Sequence, residues 1–184
     1  MAALDGLEQL VRNLNSISKT AVPRASVQAI NRVASRAVSH STRDVATKTR
    51  VPRKLVKQRA KLTRATLRKP VATIKVNRGN LPAIKLGAAS VRLSRRINGR
   101  RNGSVLQIGR FKFPDAFIQQ LSNGRWHVLK RSTKARYPIE VVSIPMATPL
   151  TTAFNEHSTL LTETDLPDEL TAALRNQLRL ILIR

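Results

Sequence analysis

Apolar residues recur at helical spacing through the first third of the chain. Leu4, Leu7, Leu10, Val11 and Leu14 form one row, and Ile30, Val33, Ala34, Ala37 and Val38 form a second. Pro23 fits the first turn of the second helix, which is predicted from about Val22 to Thr47. Pro52 opens a further helical stretch, "PRKLVKQRAKLTRAT", in which Leu55, Val56, Ala60 and Leu62 give only a narrow apolar stripe. Seven cations crowd the same stretch and its continuation: Arg53, Lys54, Lys57, Arg59, Lys61, Arg64 and Arg68.

The period changes at Pro70. "VATIKVNRG", "PAIKLG" and "SVRLSRR" alternate apolar and polar residues, the pattern of half-buried strands. "RRINGRRNGS" follows, with two Asn-Gly pairs among four arginines, and predicts a hairpin tipped by a basic loop at about 95–104. Strands resume with "SVLQIGRFKF", then Ala116–Leu121, a turn at Asn123-Gly124, and "RWHVLKR". After "YPIEVVSIP" a helix is predicted from about Met146 to Glu156. A separate closing helix begins near Pro167, with Asp168 and Glu169 favouring its positive end. The last residues, "LRLILIR", are too apolar for a free tail and belong either to the core or to a subunit contact. Helices, then about six short strands, then helices make an α+β chain around a central, mostly antiparallel sheet.

Composition sharpens this picture through charge. Lys and Arg number 34 against 10 acids, a net +24 over 184 residues. Placement matters more than the total. From Val45 to Pro114 there are 20 basic residues and no acidic one, whereas Tyr137–Arg184 carries three Arg and six acids. A strongly cationic middle and a mildly acidic end point to a polyanion, nucleic acid first and an acidic protein surface second, with a merely solvated basic face as the alternative. The absence of cysteine excludes disulfides and Cys-based sites. The start, "MAALDGLEQLVRNL", reads as an amphipathic helix rather than a signal peptide, and no apolar run approaches the roughly 18–20 residues of a membrane span. The expectation is a soluble protein of one domain over residues 1–184.

Catalytic apparatus is not visible. His40, His127 and His157 stand singly, and "SHSTRD" (39–44) lies inside a helical pattern, where sequence proximity is no evidence for a triad. The basic region holds no carboxylates for a metal site, and no phosphate-binding glycine motif occurs. The reading is a non-enzymatic protein without cofactor or metal. Only six residues are aromatic, too few for a base-stacking platform. Phe111 and Phe113 share a strand face beside Arg110 and Lys112 and are read as core. Trp126 and His127 are adjacent on a strand and so point to opposite faces, Trp126 toward the core and His127 away. What remains is sequence-independent contact through Arg95, Arg96, Arg100 and Arg101 of the loop, with Arg53, Lys54, Lys57, Lys61 and Arg64 of the helix predicted over 53–69.

The segment "AFIQQLSNGRWHVLKRSTKARYPIEVVSIPMATPLTTAF" (116–154) resembles the minor tail protein Z family of lambda-like, long-tailed bacteriophages. "INRVASRAVS" (30–39), "VPRKLVKQRAKLTRATLRKP" (51–70), "IKVNRGNLPAIKLG" (74–87) and "VRLSRR" (91–96) are similar to it as well, so the resemblance spans nearly the whole chain. It implies a virion structural protein at the head-proximal end of the tail, of tail-completion or neck type, made in the host cytoplasm. It further implies a homo-oligomeric ring, commonly of six copies, around the DNA channel. The implied neighbours are tail terminator, tail tube and head–tail connector proteins, with genomic double-stranded DNA in the lumen and no membrane, and the implied role is placement of the genome end for delivery. Composition alone leaves a second reading open, a free-standing basic nucleic-acid-binding protein of ribosomal type.

Overall fold

The computed structural model describes residues 12, 14–15, 17–92, 96–97, 100–101, 104–133, 135 and 137–182, without side chains at 96–97, 100–101 and 181–182. A short π-helical turn, Ile17–Ala21, leads into helix α1 (Val22–Thr49), close to the predicted bounds and with Pro23 in its first turn. Of the row predicted before it, Leu14 is helical, and Leu4, Leu7, Leu10 and Val11 lie outside the described residues. One face of α1, with the turn before it, is a ridge of small side chains spaced four residues apart. Ala21, Ala25, Ala29, Val33, Ala37, Ser41 and Val45 are all buried. Seven positions at this spacing cover about 36 Å of helix.

That ridge packs along the last helix, which is a single element from Ala147 to Leu182 (α3) rather than the two predicted. Pro167 sits inside it. Proline removes one backbone hydrogen bond, and here packing and ion pairs on both sides of the gap carry the helix through. Leu161 and Ala173 are buried, and Asp165 and Glu169 reach arginines of α1. The two helices run antiparallel: Ser41 Oγ donates to the Ala153 carbonyl (3.2 Å) near one end, and Arg32 meets Glu169 toward the other.

The second predicted helix is corrected. Helix α2 covers only Arg53–Lys57, and residues predicted to continue it form strand β1 (Ala60–Thr63), paired antiparallel with β2 (Thr73–Val76). Ala60, Leu62, Ile74 and Val76 pack on a core built from Val38, Val45, Val51, Val56, Leu81, Met146, Leu150, Ala153 and Phe154. In "AKLT" alternate residues face that core, and burying a two-sided strand there outweighs the helix preference of Ala, Lys and Leu. "PAIKLG" is corrected too: only Leu81–Pro82 (β3) is strand, followed by a 3₁₀ turn, Ala83–Leu86.

The remaining strands are β4 (Ala89–Arg92), β5 (Arg96–Ile97), β6 (Arg100–Arg101), β7 (Val105–Ile108), β8 (Phe111–Pro114), β9 (Ala116–Gln120), β10 (Trp126–Arg131), β11 (Ile139–Val141) and β12 (Ser143–Ile144). The class is α+β, and among the described residues every pairing is antiparallel. The strands divide into small sheets of two or three, β1-β2, β11-β10-β9, β12-β3, β4-β7-β8 and β5-β6, rather than one central sheet. A second core, Ala83, Leu106, Ile108, Ala116 and Val128, lies beneath the β7, β8 and β10 region.

One polar device ties the β1–β2 connection to α1. Asn31 Nδ2 donates to the Ala65 carbonyl (3.0 Å) and Asn31 Oδ1 accepts the Ala65 N–H (2.8 Å), as a paired strand residue would. No helix among the described residues is long and apolar enough to cross a membrane.

Candidate partner-binding surface

The cations singled out in the sequence fall in three places. Arg53, Lys54 and Lys57 are exposed on α2, Lys61 is exposed on β1, and Arg64 follows it. Arg53 folds back, its Nη2 donating to the Ser39 carbonyl (3.1 Å) and Oγ (2.9 Å). Lys61 stands directly opposite Lys75, both exposed, and like charges in that register oppose each other. The third place is the hairpin tip. β4 and β7 pair along its stem, and Arg96 and Ile97 pair with Arg101 and Arg100 beyond it. Of the predicted hairpin, residues 93–95, 98–99 and 102–103 lie outside the described residues. Arg95 lies outside the described residues, as do the side chains of Arg96, Arg100 and Arg101.

A site the sequence did not signal lies at the C-terminal end of α1. An open groove of about 890 Å³ is lined by Arg43, Arg50, Arg53 and Arg110 above an apolar floor that includes Val51, Leu86 and Phe111. Local backbone geometry places two of these arginines. Arg50 ends α1 in the left-handed region (φ 58°), turning the chain into Val51-Pro52. Gly109 adopts a positive φ (56°) in the β7–β8 turn and so presents Arg110, a geometry glycine adopts without penalty. Phe111 stacks nearly parallel on Phe113, ring centroids 6.2 Å apart, and the two half-buried rings bridge the two cores, as their reading as core residues anticipated. Among the described residues no carboxylate lines the groove. Guanidinium forks over an apolar floor are suited to carboxylates or phosphates carried on a partly apolar partner.

The acids lie elsewhere. Arg32 pairs with Glu169 (3.0 Å), and Arg36 with Asp165 (2.8 Å) and Glu169 (2.5 Å), all across the α1–α3 seam. The hydrogen bond from Arg36 holds the Asp165 carboxyl below its ordinary range, and that from Arg32 does the same for Glu169. Asp44 pairs with Lys48 (2.8 Å) and lies 3.7 Å from His157. Of the described cations between Val45 and Pro114, Lys48 alone has an acidic partner. Arg59 is used structurally, donating to the carbonyls of Asn77 (3.0 Å), Gly79 and Asn80 (3.0 Å), and its partial burial lowers its pKa.

The reading of Trp126 and His127 is corrected. Trp126 is 56% exposed, while His127 is half-buried with its Nδ1 enclosed and unpartnered. Trp126 does share a strand face with buried Val128, but it pairs with Gln120 beside the turn, and the core has ended by that point. "SHSTRD" lies within α1, as its pattern implied, with Ser39 accepting from Arg53 and Asp44 paired to Lys48. Among the described residues no group of three or more His, Asp or Glu is arranged to hold a metal.

Fold and surface together are those of a small basic α+β protein whose described cations mostly face outward. The family described as prophage minor tail protein Z (GPZ) matches over residues 4–184, and the chain belongs to it, among the structural proteins of phage tails. It is similar to the tail completion protein of Escherichia phage N15, 68% identical over 183 residues, spanning 99% of this chain and 100% of the relative. It is also similar to tail completion protein Z of Escherichia phage lambda, 57% identical over 191 residues, again spanning 99% and 100%. No solved structure matches.

Proposed function

We propose that this protein completes the tail at its head-proximal end, as a ring of copies, six in number, around the passage through which the genome leaves. In this reading residues 1–184 act as one domain. It meets tail terminator and tail tube proteins on one side and head–tail connector proteins on the other, and it helps to position the end of the double-stranded DNA. The observation that carries it is charge without compensation: 20 cations and no acid from Val45 to Pro114. Within the described part of that stretch only Lys48 is ion-paired, and Lys61 faces Lys75. Such a surface is costly in the free protein, and a polyanion relieves it. Ring formation multiplies the charge around a lumen, where phosphates are the natural counter-charge and base sequence is irrelevant. The names of the two relatives support tail completion. The role requires positioning and charge only, with no bond made or broken.

The test is to replace Arg95, Arg96, Arg100 and Arg101 together by Gln in the phage. Tails should assemble with normal length and number by electron microscopy, while DNA retention and plaque-forming titre fall. An unchanged titre would remove the hairpin tip from this role.

A further inference from the structure

We propose that the arginine groove of one copy receives the exposed acidic face of α3 from a second copy, in a head-to-tail contact. The proposal rests on the ring reading above and names the two surfaces that would build it.

The groove supplies four guanidinium groups, Arg43, Arg50, Arg53 and Arg110, and none of them has an acidic partner among the described residues. Its floor is apolar, with Val51, Leu86 and the ring of Phe111. A bare phosphate backbone would engage the rim and leave that floor uncovered. An acidic segment carrying an apolar side chain would engage both.

The chain presents one such segment itself. Leu160, Glu163, Pro167 and Asp168 fall at i, i+3, i+7 and i+8 on α3, so they share one face, and all four are exposed. Leu160 is 53% exposed. The acids on the inner face, Asp165 and Glu169, are held by Arg32 and Arg36, whereas Glu163 and Asp168 have no ion-pair partner among the described residues. The outer face of α3 is thus a carboxylate-flanked leucine, complementary in charge and polarity to the groove.

Within one copy the face and the groove are offset along the seam. Asp165 sits beside Arg36, and the groove's Arg43 and Arg50 lie seven and fourteen residues further along the line of α1, about 10 Å and 21 Å away at 1.5 Å per residue. Among the described residues no ion pair joins Glu163 or Asp168 to a groove arginine. A contact between two different patches is heterologous, and it closes into a ring when the rotation between neighbours divides a full turn. It also sets the acidic end of each molecule against the cationic middle of the next, which lowers the repulsion that +24 per copy imposes on any ring.

The experiment uses the full chain in two charge-reversed forms, one carrying Glu163→Arg and Asp168→Arg, the other Arg43→Glu and Arg110→Glu. All four positions are solvent-facing, and circular dichroism checks that each form folds. Sedimentation velocity over a concentration series reads association. Wild type should form a defined oligomer, and each variant alone should associate at least about tenfold more weakly. Mixed in equal amounts, the two should co-assemble, because in an alternating ring each intact groove meets an intact acidic face and each pair of introduced glutamates meets the introduced arginines. If both variants assemble as wild type does, the named surfaces are wrong although assembly stands. A wild type that remains monomeric at every soluble concentration would overturn the contact and the ring reading together. If the groove variant keeps its oligomer but loses a short DNA duplex in a retention assay, the groove is a nucleic-acid site and the proposal fails.

Discussion

Replacing Asn31 by alanine removes both hydrogen bonds that fasten Ala65 to α1, at 3.0 and 2.8 Å. Ala65 is 4% exposed, so its N–H and C=O have little access to water once the amide is gone. A hydrogen bond contributes about 0.5–1.5 kcal/mol net, so the pair contributes about 1–3 kcal/mol. For a chain of this size, 1 kcal/mol shifts the melting temperature by about 2–4 °C, which gives a fall of about 2–12 °C for the variant. Thermal unfolding followed by circular dichroism measures it. Amide exchange at Ala65 supplies a local readout, because a segment without strand partners can detach before the fold melts. The connection carries Arg64, Arg68 and Lys69, so its detachment would also loosen part of the basic surface. A melting temperature within 0.5 °C of wild type together with unchanged exchange at Ala65 would refute the reasoning, as neither global nor local stability would then depend on the pair.

Leu106→Ala in the second core should cost about 2–5 kcal/mol, since Leu106 is fully buried, whereas Leu160→Ala on the outside of α3 should change monomer stability by less than about 0.5 kcal/mol. Chemical denaturation of the two variants side by side checks the contrast. Stability should also fall in acid. The folded-state values of Asp165 and Glu169 are depressed, so their contribution is complete above the ordinary carboxylate range and is lost as pH drops through those lowered values. Glu169→Gln should flatten the acid side of a melting-temperature profile while leaving its shape near neutrality; an unchanged acid limb would count against the seam ion pairs.

Much of the framework could be read from local signals because local physics decides it. Helix α1 was visible because Pro23 and the apolar period agree, and the β9–β10 hairpin because Gly124 supplies the positive φ (73°) that its turn requires. Strand β1 was not, since Ala, Lys and Leu favour helix until β2 and the core are present to bind them. The continuity of α3 through Pro167 depends on arginines more than 120 residues earlier in the chain, which no window of sequence contains. The groove is harder still to foresee. Arg43, Arg50 and Arg110 become neighbours only when the end of α1 meets the β7–β8 turn, and each alone looks like one more cation among many. Trp126 was misplaced because alternation assigns a face but does not say where the core ends along a strand.

The ridge of small residues along α1 makes the tolerance of the seam lopsided. At Ala21, Ala25, Ala29 and Ala37, all essentially without exposure, there is almost nothing to truncate, so substitution by glycine costs mainly helix propensity, about 1 kcal/mol each. An added methylene, by contrast, must push two long helices apart along their shared length. Substitutions accumulating in such proteins should therefore spare these positions from growth far more than from shrinkage. The two helices would keep their spacing, and with it the distance between the acidic face and the groove, while the cationic loops around them change freely.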